Sequence, residues 1–290
     1  MTIKSRVINT QLTNDNFQAE IYCRKRFRFG QNWHNFLETI NEEKILKAEN
    51  SLKEKLCMKS LQGKRFLDIG SGSGLFSLAA RRLGASVHSF DYDPESVACA
   101  EELRTRFFND DKQWLIEQGS ALDADYITSL GKFDVVYSWG VLHHTGSMWK
   151  GLKNVLIPLA SNGSLFIAIY NDQEYISNIW QKVKRTYCSG LLGRTFIIAV
   201  YVPYTFLMDF IGNGANPVRT WRFYRQYFRE RGMSRWHDLI DWLGGYPFEV
   251  AKPEAIFHFY RQYGLQLVEL KTCGGGLGCN EFVFLNTPSQ

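Results

Sequence analysis

The sequence predicts an α/β fold: a doubly wound, seven-stranded, mostly parallel sheet with a C-terminal antiparallel hairpin and an inserted helical lid. Three observations predict it. Short apolar runs alternate with helical patterns between residues 65 and 171, the rhythm of a parallel sheet covered on both faces. The first run ends in a glycine-rich turn, "FLDIGSGSG" (66–74). More than ninety residues then separate the fifth run from a final strand pair, far more than a crossover needs.

Residues 1–60 read as a helical cap. Aromatic side chains anchor "FRFGQNWHNFL" (27–37), and "NEEKILKAENSLKEKL" (41–56) repeats apolar residues on a helical period. The core is assigned to 61–171. "RFLDIG" (65–70) is a buried strand, and "LFSLAARRLG" (75–84) is a helix with a glycine stop. "SVHSFD" (86–91) is a second strand. "PESVACAEELRTRF" (94–107) opens on proline, which suits the first helical position. "QWLIEQG" (113–119) and "FDVVYSWG" (133–140) are strands three and four. "SMWKGLKNVLIPLA" (147–160) is a helix and "GSLFIAIYN" (163–171) the fifth strand. Residues 172–250 form the lid. Residues 251–290 close the core with a helix at 252–264 and strands at 265–272 and 280–286 around "CGGGLGC" (273–279).

The net charge of +5 permits an anionic partner without requiring one. The six cysteines contain no CxxC pair, and no secretory signal pattern is visible at the N-terminus. Both point to a reducing, cytoplasmic setting. The apolar "FIIAVYVPYTFLM" (196–208) is shorter than a membrane span and contains Pro203, which predicts a buried helix. The alternative is peripheral contact with a membrane surface.

The glycine turn carries the first chemical signal. A strand delivers Asp68, and Gly70, Ser71, Gly72 and Gly74 turn the chain into a helix. Glycine serves where backbone bends sharply and approaches a ligand closely. The spacing is GxGxG, with Leu75 where a dinucleotide fingerprint has its third glycine. Asp91 ends the second strand about twenty residues on, where an acid accepts ribose hydroxyls. Its other reading is a helix cap ahead of Pro94, a role that Asp93 is better placed to fill.

"FLDIGSGSG", "SFDYDPESV", "EQGSALD" and "FDVVYSWGVLHHT" together resemble the successive motifs of class I S-adenosylmethionine-dependent methyltransferases. The resemblance runs in order over residues 65–171 and returns at the terminal hairpin. Within that superfamily the chain is similar to the group containing the ubiquinone-biosynthesis O-methyltransferases. The resemblance implies S-adenosyl-L-methionine as cofactor. It implies that Gly70–Gly74 lines the methionine part, with Asp68 near its ammonium. Asp91 would bind the ribose, with Tyr92 against the adenine and Ser120 and Ala121 at the adenine edge. Ser120 stands where many relatives carry Asp. Ser138, Trp139 and Gly140 would close over the sulfonium. The segment 29–33, with Phe29 and Trp33, would cap the cofactor as N-terminal segments do in many relatives; aromatic core packing is the competing reading.

Methyl transfer from a sulfonium is a displacement that needs positioning and no metal. A hydroxyl or ammonium acceptor must also lose a proton, and histidine suits that near neutral pH. His143 and His144 follow the fourth strand at the ligand-binding end of the sheet. One of them is expected to be the base, with His144 ahead because similar enzymes carry histidine there. Adjacent side chains diverge, and no Cys/His spacing completes a zinc site.

The lid is expected to select the acceptor. "RTWRFYRQYFRERGMSRWHD" (219–238) interleaves arginines with aromatics. His237 and Asp238 are further candidates to meet the acceptor. The leading reading is transfer to a small molecule, at a hydroxyl of an aromatic, lipid-like or glycan-linked substrate. The arginines support a second reading, methylation of tRNA or another nucleic acid. A third is a cofactor-binding regulator without catalysis.

Overall fold

The computed structural model describes residues 3–231 and 235–287. Three helices precede the sheet: α1 (Ile3–Tyr22), α2 (Gly30–Leu37) and α3 (Glu42–Lys55). Asn41 caps α3 by accepting the Lys44 N–H at 3.0 Å. Glu42 and Glu43 in its first turn and Lys53 and Lys55 in its last match the helix dipole.

The core then alternates as the sequence predicts. Its elements are β1 (Arg65–Ile69), α4 (Leu75–Arg82), β2 (Ser86–Asp91), α5 (Pro94–Phe107), β3 (Trp114–Gln118), α6 (Ala124–Ser129), β4 (Phe133–Trp139), α7 (Met148–Asn154) and β5 (Leu159–Tyr170). After the lid come α12 (Pro253–Gln262), β6 (Gln266–Lys271) and β7 (Cys279–Leu285). The strands form one seven-stranded sheet in the order β3-β2-β1-β4-β5-β7-β6, with β7 antiparallel to both neighbours.

Side chains alternate between the two faces of this sheet. Phe66, Val135, Tyr137, Phe166 and Val283 pack with α3, α4 and α5. Leu67, Ile69, Val136, Leu165 and Ile167 pack with α6, α7 and α12 on the other face. Burial on both faces is why these strands read as continuous apolar runs rather than as alternation.

Three elements depart from the sequence expectation. The helix expected over 147–160 ends at Asn154, and Leu159 and Ala160 already belong to β5. Pro158 accounts for this, since it disfavours helix at the residue before it. Helix α6 was not anticipated; Asp123 caps it by accepting the N–H groups of Asp125 and Tyr126. The apolar segment 196–208 is neither short nor buried. It lies within a continuous helix, Leu191–Gly212, that runs through Pro203 and is largely exposed. The Thr205 hydroxyl lies 2.9 Å from the Tyr201 and Val202 carbonyls in the turn that holds the proline.

The described residues of 172–250 form four helices: α8 (Tyr175–Cys188), α9 (Leu191–Gly212), α10 (Pro217–Arg231) and α11 (Arg235–Gly244). Tyr187, Ile197, Leu239, Ile240 and Leu243 form their own small core. The segment after α11 ties them to the sheet. The Glu249 N–H donates to the His143 carbonyl at 2.9 Å, and the Ala251 N–H to the Tyr170 carbonyl at 3.0 Å.

Candidate active site

A cavity of about 790 Å³ lies outside the carboxyl ends of β1, β2, β3, β4 and β5, with α9 and α11 as its far wall. This is where open parallel sheets bind ligands, because successive strands deliver their following loops to one rim.

One half is built from the first three strand ends. Gly70 leaves β1 at φ +76°, and a Cβ there would sit 2.3 Å from Val141 Cγ1, so only glycine fits. The Gly72 N–H donates to Asp91 Oδ2 and the Asp93 N–H to Asp91 Oδ1, both at 2.9 Å. Asp91 lines the cavity and does not cap the helix. The cap of α5 is Asp93, which accepts the N–H groups of Glu95 and, from the N-terminal region, Gly30. Burial raises the Asp91 carboxyl to about 6, against the lowering effect of its two N–H bonds. Tyr92, Ser120 and Ala121 line the same half, as do Trp139 and Gly140. Gly140 has open space where a Cβ would stand.

The other residues expected here stand behind the cavity wall. Asp68 is turned into the sheet, where the Ser77 hydroxyl donates to it at 2.5 Å. Burial raises its carboxyl to about 7. Ser138 is buried and donates to the Ile69 carbonyl at 3.1 Å, fixing β4 beside β1. Gly74 opens α4 at φ +80°, and a Cβ there would meet Ala100 on α5 at 3.0 Å; its smallness serves helix packing. Gly72 lies under Trp33, whose ring would be 3.0 Å from a Cβ on that glycine.

The two histidines take opposite roles. His143 is sealed from solvent, and its Nδ1 accepts the Tyr170 N–H at 3.3 Å. Its proton is therefore on Nε2, which is buried without a partner among the described residues. His144 lines the cavity. Its Nδ1 lies 2.7 Å from the Pro247 carbonyl, which can only accept, so Nδ1 carries the proton and Nε2 is the acceptor. Burial holds His143 well below the usual histidine range. Burial also lowers His144, to about 3, so its ring is neutral at physiological pH.

Aromatic rings surround His144. Phe29 is 4.9 Å and Tyr170 5.4 Å away between ring centroids. Trp180 and Trp242 meet edge to face at 4.9 Å on the lid side, and Tyr201 lies 5.3 Å from Trp180.

The chain matches a family model described as "Methyltransferase domain" over residues 31–236. It belongs to the class I S-adenosylmethionine-dependent methyltransferases. It is 27% identical over 140 residues to the ubiquinone biosynthesis O-methyltransferase of Pelagibacter ubique, covering 48% of this chain and 52% of that protein. It is 32% identical over 84 residues to the ribosomal protein L11 methyltransferase of Pediococcus pentosaceus, covering 24% of this chain and 27% of that one. The chain thus spans between about a quarter and about half of the curated relatives it matches. In fold it is similar to PKMT2 of Rickettsia typhi, with a TM-score of 0.52 and 15% identity over 77% of this chain and 49% of that one.

The methyltransferase cofactor, S-adenosylmethionine, fits the residues present. Ser71 Oγ in the glycine loop and Ser96 Oγ in the cavity wall are buried without partners among the described residues, as groups that meet a polar ligand are. Asp91 spends one lone pair of each oxygen on backbone and keeps the others for hydroxyl donors.

The motifs did not reveal every wall of this methyltransferase site. Arg26 bridges three parts of it. It pairs with Glu20 at 2.6 Å, donates to the His144 carbonyl at 2.9 Å and lies 4.8 Å from the Tyr92 ring centroid. No local pattern marks such an arginine. Tyr170, Trp180, Tyr201 and Trp242 were visible only as aromatic richness at the end of β5 and in the lid. The side chains of His237 and Asp238, the further candidates in the lid, lie outside the described residues.

Proposed function

We propose that the chain transfers the methyl group of S-adenosylmethionine to a hydroxyl of an aromatic or lipid-like small molecule, with His144 as the general base. The observation that carries this reading is the His144 ring, neutral and fixed with Nε2 as acceptor, between the Asp91 half of the cavity and its aromatic half. Bound S-adenosylmethionine supplies an electrophilic methyl on a positively charged sulfonium.

The residues of the chain divide the remaining work. Gly70 and Asp91 hold the nucleoside and amino-acid ends, and Trp33 and Phe29 shield the cavity from water. The Tyr170, Trp180, Tyr201 and Trp242 rings position a flat or apolar acceptor, the main contribution that a displacement requires. His144 Nε2 would take the proton that the acceptor hydroxyl loses on methylation. The bound sulfonium would give up its positive charge with the methyl group, so an imidazolium at His144 would leave the net charge of the site unchanged. This offsets the low basicity that burial imposes on His144. His143 has its lone pair committed to the Tyr170 N–H and positions the turn. The O-methyltransferase among the relatives favours oxygen as the acceptor atom.

The test is transfer of isotope-labelled methyl from S-adenosylmethionine into extracts rich in phenols and lipids, resolved by mass spectrometry. Label is expected in an organic-soluble, base-stable product. His144→Ala is expected to lower kcat by about 10²- to 10⁴-fold while keeping cofactor affinity. Wild-type turnover in that variant would remove the base role, and label found in RNA or protein alone would remove the acceptor class.

A further inference from the structure

Helix α9 has two faces with different partners. Ile197, Ile198, Tyr201 and Val202 face the lid core, and Tyr201, Tyr204 and Thr205 also line the cavity. The opposite face is apolar and open. Leu192 is 88% exposed, Phe196 61% and Ile211 55%, and Val200 and Leu207 continue the stripe at helical spacing. The helix is long and apolar enough to cross a membrane by length and composition. Its inner face is nevertheless committed to the protein. An apolar strip of this length on a soluble surface marks a contact site.

The neighbouring charge says what covers it. On helices α8, α9 and α10 the exposed Lys and Arg among the described residues are Lys182, Arg185, Arg194, Arg219, Arg222 and Arg225, in a chain whose total is only +5. Arg219, Arg222 and Arg225 on α10 are exposed beside Trp221, which is 62% exposed itself, and Arg225 lies 5.1 Å from the Trp221 ring centroid. Asp209, the one acid on α9, accepts a hydrogen bond from the Tyr224 hydroxyl of α10 at 3.0 Å. Aliphatic residues flanked by arginine and tryptophan match a lipid surface, with acyl chains under the strip and anionic headgroups at the arginines. A nucleic acid would leave Leu192, Phe196 and Leu207 without a role. A second copy related by a twofold axis would set this basic surface against itself.

We propose that α9 and α10 dock the protein on the surface of an anionic bilayer, α9 lying in the interface with its outer face in lipid. The same helix walls the active-site cavity, so an amphiphilic acceptor enters from the bilayer beside Tyr201 and Tyr204. Docking itself does not depend on the methyl-transfer reading.

Co-sedimentation with vesicles tests it, using phosphatidylcholine alone or mixed with phosphatidylglycerol. The full chain is expected to sediment with the mixed vesicles and to release on alkaline carbonate wash. Arg222→Gln with Arg225→Gln is expected to weaken binding on the order of tenfold to thirtyfold. Leu192→Glu with Phe196→Glu and Leu207→Glu is expected to abolish it, with circular dichroism and S-adenosylmethionine affinity unchanged. Leu192→Glu alone is expected to weaken binding several-fold, which covers the case in which the triple variant misfolds. The proposal is overturned by absence of sedimentation, by wild-type binding in the triple or single glutamate variants, or by resistance to carbonate. It is equally overturned by a dimer that these variants dissolve, or by salt-sensitive RNA binding without vesicle binding. Vesicle binding by a chain that fails to bind S-adenosylmethionine would leave docking intact and remove only the methyl-transfer reading.

Discussion

His143 and His144 share a short 3₁₀ turn, Leu142–His144, yet one accepts a backbone N–H and the other donates to a backbone carbonyl. This difference decides which ring can take a proton from a ligand, and it depends on residues 170 and 247, remote in sequence. The position of the pair after β4 was therefore legible, while the fact that only His144 lines the cavity was not. Asp91 was legible because its position at the end of β2 follows from strand spacing alone. Its carboxyl, held near 6 by burial, must be ionised to accept two hydroxyls. Cofactor affinity is accordingly expected to be greatest above pH 6 and to fall towards tenfold per pH unit below it. Calorimetric titrations across that range check this, and in Asp91→Asn the acidic fall should disappear along with most of the affinity. His144 is already neutral down to about pH 3, so it places no limb in the neutral pH–rate profile. His144→Gln is expected to lower kcat without moving the acidic limb.

At the level of elements, the β1–α4 turn and the start of α5 carry most of the local information. Gly70→Ala forces a Cβ into Val141 at a positive φ and is expected to cost about 2 kcal/mol or more, with loss of cofactor binding. Val141→Ala in the same chain would relieve the clash and leave the backbone strain, so partial recovery in denaturant melts is expected. Asp93→Ala removes the α5 cap and the acceptor for Gly30 together, and urea unfolding is expected to report a loss of about 1–2 kcal/mol. The cap was readable in the sequence as Asp before Pro. The bond to Gly30 was not, because it joins residues 63 positions apart. Helix α9 misled the reading for a physical reason: composition reports how apolar a helix is, not which of its faces the rest of the chain covers. Proline inside the run also suggested an end that the helix does not have.

Across the whole molecule, the alternation of strands and helices and the closing hairpin leave periodic traces in sequence, while the strand order β3-β2-β1-β4-β5-β7-β6 rests on contacts between distant residues. The placing of the lid leaves no such trace, since its helices are set by aromatic packing on a surface assembled from residues 27–29, 170 and 246–251. Together they make a cavity that carries the Asp91 carboxylate at one end and the Trp180, Tyr201 and Trp242 rings at the lid end, with His144 in its wall. On the proposed function, one end takes S-adenosylmethionine and the other an apolar acceptor. Titration calorimetry of S-adenosylmethionine into the wild type, Asp91→Ala and His144→Ala tests it most directly. One site per chain is expected, weakened at least tenfold by Asp91→Ala and unchanged by His144→Ala. Absence of binding to the wild type, or equal binding by the Asp91 variant, would contradict it.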